Sequence, residues 1–88
     1  MTTKTWTVQI LLGEDEDTTH ADAVLDMHAK TEIRGHGASR RNPDDPSVPM
    51  IGDELATARA LSDLAHQLLN IAARDIESST RTPASLHL

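Results

Sequence analysis

The chain contains no cysteine. This absence excludes disulfides, thiolate metal sites and a cysteine nucleophile. No apolar run of signal-peptide length opens the sequence, and no stretch approaches the roughly 18 apolar residues that a membrane span requires. We therefore expect a cytoplasmic protein with no membrane partner.

Aromatic residues are almost absent, because Trp6 is the only one among 88 residues. A core must therefore be assembled from Leu, Ile, Val, Met and Ala. The length predicts a single domain over residues 1–88, and small domains bury a smaller share of their surface than large ones. Dimerisation adds burial, so the thin core favours a homodimer.

The formal net charge is −6, whereas nucleic-acid binders usually carry a basic surface. One acidic run contributes much of this charge, and we interpret residues 13–20 around it as a solvated acidic loop. Basic residues also cluster locally. This cluster predicts either a charged outer sheet face or a candidate patch that contacts phosphate or an acidic protein. Its members are Lys30, Arg34, Arg40 and Arg41.

Two segments alternate with the period of a half-buried strand. In the first, Trp6, Val8, Ile10 and Leu12 share one face, and Gly13 with the acidic run is expected to end the strand. In the second, the residues expected to face inward are Ala21, Ala23, Leu25, Met27 and Ala29.

A third strand is predicted over E-I-R-G-H-G-A-S-R-R, with its hairpin turn near residues 30–32. Placing Ile33, Gly35, Gly37 and Ser39 inward leaves the charged side chains in water, so we favour this register over its one-residue alternative. Two glycines in one strand indicate a bulge or the close approach of other backbone.

A Pro-rich connector is predicted over residues 42–52, followed by one long helix. Asp53 is expected to act as the N-cap of this helix, and the negative charge of Glu54 is expected to interact favourably with the helix dipole. Helical spacing predicts one apolar stripe, and Arg59 and Asp63 are expected on the opposite side. The stripe comprises Leu55, Ala58, Leu61, Leu64, Ala65, Leu68, Ile71, Ala72 and Ile76. Residues 81–88 form a C-terminal tail whose Leu86 and Leu88 are available for packing.

Asp75 falls inside this stripe, where an unpaired carboxylate is costly. We interpret it as structural: it either finds a partner or marks a break at which it caps a short final helix. The predicted fold is thus α+β, a three-stranded antiparallel meander packed on one long C-terminal helix (β-β-β-α).

No catalytic motif is present, since the chain lacks a G-x-S-x-G elbow and a phosphate-binding glycine loop. His28 and His36 are expected to meet across a hairpin, but two histidines make an incomplete metal site. We therefore predict a protein that is not an enzyme, with no metal, cofactor or small-molecule substrate.

The run I-G-D-E-L-A-T-A-R-A-L-S-D-L-A resembles a small actinobacterial family of unknown function whose best-known members are mycobacterial dormancy-associated proteins. W-T-V-Q-I near the start, G-H-G and D-I-E-S-S-T-R-T-P-A-S-L extend the resemblance over nearly the whole chain. The resemblance implies a homodimeric α+β protein with no established catalytic residues. The shape of family members has been likened to that of ribosome hibernation factors, so the resemblance also implies a role in translation shutdown under stress.

Two classes of function are therefore expected. The first is a non-enzymatic stress- or dormancy-associated protein that binds the ribosome, or another RNA-bearing complex, and dampens translation. The alternative is a dimeric protein–protein interaction module that makes no RNA contact.

Overall fold

A computed structural model describes residues 1–28, 32–80 and 84–86. Three strands, β1 (Thr7–Asp15), β2 (Thr18–Asp26) and β3 (Ile33–Arg40), precede a single helix, α1 (Pro49–Thr80). The sheet order is β1-β2-β3, and both neighbouring pairs are antiparallel. The predicted β-β-β-α architecture is confirmed. Most of the turn predicted at residues 30–32 lies outside the described residues.

The acidic loop predicted over residues 13–20 is wrong. β1 runs on to Asp15, which pairs directly with Thr18 of β2, so only residues 16 and 17 form the turn. A two-residue turn lets both strands pair up to their ends, and exposed strand ends carry charged side chains into water. Glu16 adopts a positive φ of 55°, a conformation that glycine occupies more readily.

The core lies between α1 and the inner faces of β2 and β3. Ile33, Gly35, Gly37 and Ser39 all point inward, as predicted. A Cβ on Gly35 or Gly37 would overlap the backbone of α1 at Ala60. The two glycines therefore serve the close backbone approach that the sequence suggested, and the regular pairing of β2 with β3 contains no bulge.

The inner face of β1 is largely uncovered, because α1 lies over β3 and β2 and barely touches β1. Val8 is 39% exposed and Leu12 49%, whereas Ile10 is partly buried. The predicted strand is therefore confirmed, but the burial of its apolar face is not: the helix is displaced towards β3.

The helix begins at Pro49, so the prediction of Asp53 as its N-cap is wrong. Proline suits the first helical position, where its missing N–H costs no hydrogen bond. Gly52, expected in the connector, is helical and lies close to Thr19 and Ser39. The connector therefore ends before residue 49 rather than at residue 52.

The apolar stripe of α1 is rotated from its predicted position. The fully buried residues are Ala56, Ala60 and Leu64, of which only Leu64 was predicted. Leu61, placed in the core by its spacing, is 42% exposed. Small residues face the sheet because the glycines of β3 bring the two backbones together.

At its other end, α1 continues without a break to Thr80. Asp75 is exposed within this continuous helix, so the burial and the helix break predicted there are wrong. Asp75 does have an interaction partner, as the other alternative predicted. Of the predicted tail, only residues 84–86 are described; there the N–H of Ala84 donates to the carboxylate of Glu77 at 3.0 Å. Across the described ranges, no helix could span a membrane.

Candidate functional site

The predicted basic patch is mostly neutralised by neighbouring carboxylates. Arg34 donates to Asp22 (3.0 Å) and Glu32 (3.4 Å), and Arg41 donates to Asp17 at 2.6 Å. Arg40 is exposed and lies six positions from Arg34, about 20 Å along an extended strand. Lys30 falls outside the described residues. The structure thus does not gather the predicted residues into one basic surface.

A polar cluster occupies the outer face of the sheet. The Nδ1–H of His36 donates to Asp22 at 2.8 Å, and Arg34 binds the other carboxylate oxygen. The hydrogen bonds from His36 and Arg34 hold the pKa of Asp22 below its usual value, and the bond to Asp22 raises the pKa of Arg34. Asp22 is therefore the fixed negative centre of this cluster.

The histidine that meets His36 is His20, not His28 as predicted. The His20 and His36 rings stack with their centroids 5.6 Å apart. Their positions follow from the register, which places His36 opposite Asp22 and next to His20. His28 instead has a positive φ and donates its backbone N–H to Asp26. Within the described residues, no group of three potential ligands converges to hold a metal ion.

The outer edge of β3 is closed by side chains of α1. Arg59 donates to the Ala38 carbonyl at 2.7 Å, and Gln67 donates to the Arg34 carbonyl at 2.8 Å. Between them, the N–H of His36 donates to the carboxylate of Asp63 at 2.7 Å. Sequence spacing had assigned Arg59 and Asp63 to the solvent side of the helix. Their side chains instead form hydrogen bonds with backbone groups of β3 that would otherwise be available to a fourth strand.

The opposite edge of the sheet, along β1, is open. No described strand or helix pairs with the outer side of these nine residues. In an antiparallel hairpin closed at Asp15 and Thr18, alternate residues direct their N–H and C=O groups away from the partner strand. These are the residues whose side chains form the uncovered inner face: Val8, Ile10, Leu12 and Glu14.

A cavity of about 260 Å³ lies at the end of the sheet, next to the first turns of α1. Thr19 and Ser39 form its floor and are 7% and 6% exposed. The Ser39 hydroxyl donates to the Gly52 carbonyl at 2.8 Å, and among the described residues no buried side-chain nitrogen or oxygen lacks a hydrogen-bond partner. The charged residues that line the cavity are Glu14, Glu16, Asp17, Asp45, Arg40 and Arg41.

Arg41 connects two chain segments at the rim of this cavity. The Arg41 guanidinium bonds Asp17 in the β1–β2 turn and also the Asp45 carbonyl at 2.6 Å. The backbone N–H of Arg41 donates to the Asp17 carbonyl at 2.8 Å. Arg41 therefore ties the turn to the connector that leads into α1, which is a structural role rather than the predicted surface contact.

Known proteins resemble this chain over most of its length. An uncharacterized protein from Mycobacterium tuberculosis, MT1780, is 49% identical over 92% of this chain and 85% of its own length. A second uncharacterized protein of that species, Rv2632c, is 45% identical over 93% of this chain and 87% of its own length. The crystal structure of Rv2632c superposes with a TM-score of 0.85 at 43% identity, covering 94% of this chain and 98% of that one. The Rv2632c-like family pattern matches residues 4–85, and the chain therefore belongs to the Rv2632c-like family.

Proposed function

We propose that this protein is a non-enzymatic, homodimeric interaction module whose two copies join along β1. The observation that carries the proposal is the difference between the two sheet edges. Side chains of α1 hydrogen-bond to the outward backbone groups of β3, whereas no described element pairs with the outward backbone groups that alternate residues of β1 present, and the apolar face of β1 is largely uncovered. A long open edge of this kind is a template for another strand.

Pairing of two β1 strands accounts for both features of this edge. Full antiparallel overlap of Thr7–Asp15 with its copy places Leu11 on the two-fold axis and extends the sheet to six strands. The exposed inner-face residues Val8 and Leu12 of each copy then lie beside those of the other, between the two helices. Backbone hydrogen bonds and apolar burial act together at such an interface.

Sedimentation equilibrium tests the homodimer. We expect the wild-type chain to dimerise and Leu12→Lys, which places a charge on the inner face of β1, to be monomeric with an unchanged circular dichroism spectrum. Ile76→Lys is the matched control, since Ile76 is similarly exposed on α1 and should leave the dimer intact. A wild-type chain that stays monomeric at high micromolar concentration contradicts the proposal.

A stress- or dormancy-linked ribosome factor is the second candidate. One observation favours it: Arg34, His36 and Arg40 share the outer face of β3, and the His20 ring stacks on His36. The pairing of Arg34 with Asp22 and the net charge of −6 oppose it.

Co-sedimentation with ribosomes across a salt series separates the two candidates. Phosphate contacts predict binding that weakens steeply as salt rises, and the combined change Arg34→Ala and Arg40→Ala should flatten that dependence. If the protein does not associate with ribosomes at low salt, the interaction module is the candidate that remains.

A further inference from the structure

The helix α1 carries more apolar residues than the sheet covers. Ala60 is buried against β3, and at about 100° per residue Leu69 lies on the opposite side of the helix. Ile51 and Ile76 lie on that side as well, where they are 54% and 41% exposed. The helix therefore has a second apolar face, which points away from the sheet.

Residues of this second face recur at alternating steps of four and three positions along α1. This is the heptad spacing with which one helix packs on another in coiled coils. The positions form a heptad stripe about 38 Å long, and Ser62 is its only polar member. The heptad stripe comprises Ile51, Leu55, Ala58, Ser62, Ala65, Leu69, Ala72 and Ile76.

The shape and the flanks of the heptad stripe favour a helix as its partner. A narrow seam of this spacing matches the surface of one helix. A lipid surface is a poor match, because helices that lie on membranes have Lys and Arg beside a wide apolar face. Glu54 and Asp75 lie beside the heptad stripe instead.

We propose that the heptad stripe packs against the heptad stripe of a second copy, with the two helices antiparallel. Full overlap places Leu55 opposite Ala72 of the partner subunit. It also places Ala58 opposite the partner's Leu69. The stripe is thus its own complement when reversed, as a two-fold interface requires, and large side chains opposite small ones fill the space between two helices. A parallel pair would set Leu55 against its own copy and leave a gap between the two copies of Ala58.

This interface goes beyond the proposed β1 dimer and does not depend on it. Eight residues per copy form a small contact, compared with roughly 20–30 per side in a standard stable interface. We therefore expect the β1 dimer to form first, and two dimers to join through their heptad stripes at higher protein concentration. Two different two-fold interfaces on one chain generate a closed tetramer.

Engineered cysteines test the contact, since the chain has no cysteine of its own. One chain carries Leu55→Cys and the other carries Ala72→Cys. These positions are neighbours in antiparallel stripes, so the mixture should form the mixed disulfide under oxidising conditions, and each variant alone should form little disulfide. In the control mixture Asn70→Cys replaces Ala72→Cys, because residue 70 is exposed on another side of the helix, and little mixed disulfide is expected.

Two results of the cysteine experiment would contradict the proposal. Efficient disulfide formation by each variant alone would show that the stripes pair in parallel, which overturns the antiparallel arrangement. A mixed-disulfide yield no higher than that of the control mixture would overturn the contact itself.

Sedimentation equilibrium measures the strength of the contact. Leu69→Glu places a charge in the heptad stripe, so the dissociation constant of the tetramer should rise by at least about tenfold with an unchanged circular dichroism spectrum. Leu55→Glu, at a site that is 44% exposed, should have the same effect and serves if the first variant unfolds. Asn70→Glu is the matched control, because it adds the same charge off the stripe and should leave the tetramer intact.

The two proposed interfaces fail separately in this experiment. If the wild-type chain forms only a dimer that Leu12→Lys dissociates and Leu69→Glu does not, the β1 dimer stands and the contact between heptad stripes is refuted. If Leu69→Glu dissociates the dimer and Leu12→Lys does not, the heptad stripe is the dimer interface and the β1 proposal fails.

Discussion

The carboxylate of Asp63 accepts a hydrogen bond from the backbone N–H of His36, 27 residues earlier in the chain, at 2.7 Å. This contact joins the middle of α1 to the outer edge of β3, and bonds from Arg59 and Gln67 flank it. The helix thereby occupies the sheet edge that would otherwise be available for pairing.

Loss of this edge contact should destabilise the fold. Asp63→Ala leaves the His36 N–H without its charged acceptor, so the free energy of unfolding should fall by about 1.5–3 kcal/mol. Urea denaturation measures the change. Glu54→Ala, which removes an exposed carboxylate from the same helix, should change stability by less than about 0.5 kcal/mol. Equal effects at the two sites would show that the edge contact contributes nothing specific.

Close approach of the helix to β3 requires glycine. In Gly37→Ala the added methyl overlaps the backbone of Ala56 and Ala60, and backbone cannot move aside as a flexible side chain can. We expect a loss of about 1–3 kcal/mol or more, as for overpacked cores. Gly13→Ala is the matched control, because a Cβ there meets no atom within 4 Å. Similar urea midpoints for the two variants would contradict the close approach.

The rotated face of α1 predicts which leucine supports the core. Leu64 is 4% exposed, so Leu64→Ala should cost about 2–5 kcal/mol through lost burial and a cavity. Leu61→Ala should cost about 1 kcal/mol or less, since that side chain remains largely in water. Thermal and urea unfolding of both variants check the order. The reverse order would restore the stripe inferred from spacing alone.

The cluster around Asp22 predicts a pH dependence of stability. Hydrogen bonds from His36 and Arg34 lower the folded pKa of Asp22, so its stabilising effect is present above the unfolded pKa, about 3.9. This effect is lost as the pH falls through the lower folded pKa. The stability difference between wild type and Asp22→Asn should therefore be largest near pH 7 and narrow in strong acid, as measured by urea titrations at each pH. A constant difference would exclude this linkage.

Much of the architecture could be predicted from local patterns. The two period-two segments located β1 and β2, and the preference for keeping charged side chains in water selected the correct register of β3. The apolar spacing located the helix but not its first residue, because Pro49 and Gly52 normally mark connectors. Here proline fits the first helical turn, and Gly52 fits against Thr19.

The candidate site was less accessible from sequence. The cluster of arginines indicated a basic patch, but Asp17 and Asp22 bind two of its members through contacts that span 24 and 12 positions of sequence. The cavity floor was also missed, since Thr19 and Ser39 lie on different strands and become neighbours only through their pairing. The apolar residues of β1 were the sequence signal for this exposed face, but the pattern predicted that they would be part of the core.

By itself, the sequence determined the order of the elements, the inward face of each strand and the need for close backbone approach at Gly35 and Gly37. These properties follow from side-chain alternation and size, which are local. Only the tertiary structure decided where α1 lies across the sheet. The two glycines draw the helix over β3, which buries Ala60, seals one sheet edge and leaves β1 uncovered. Lateral placement depends on contacts between distant segments, so no local pattern records it.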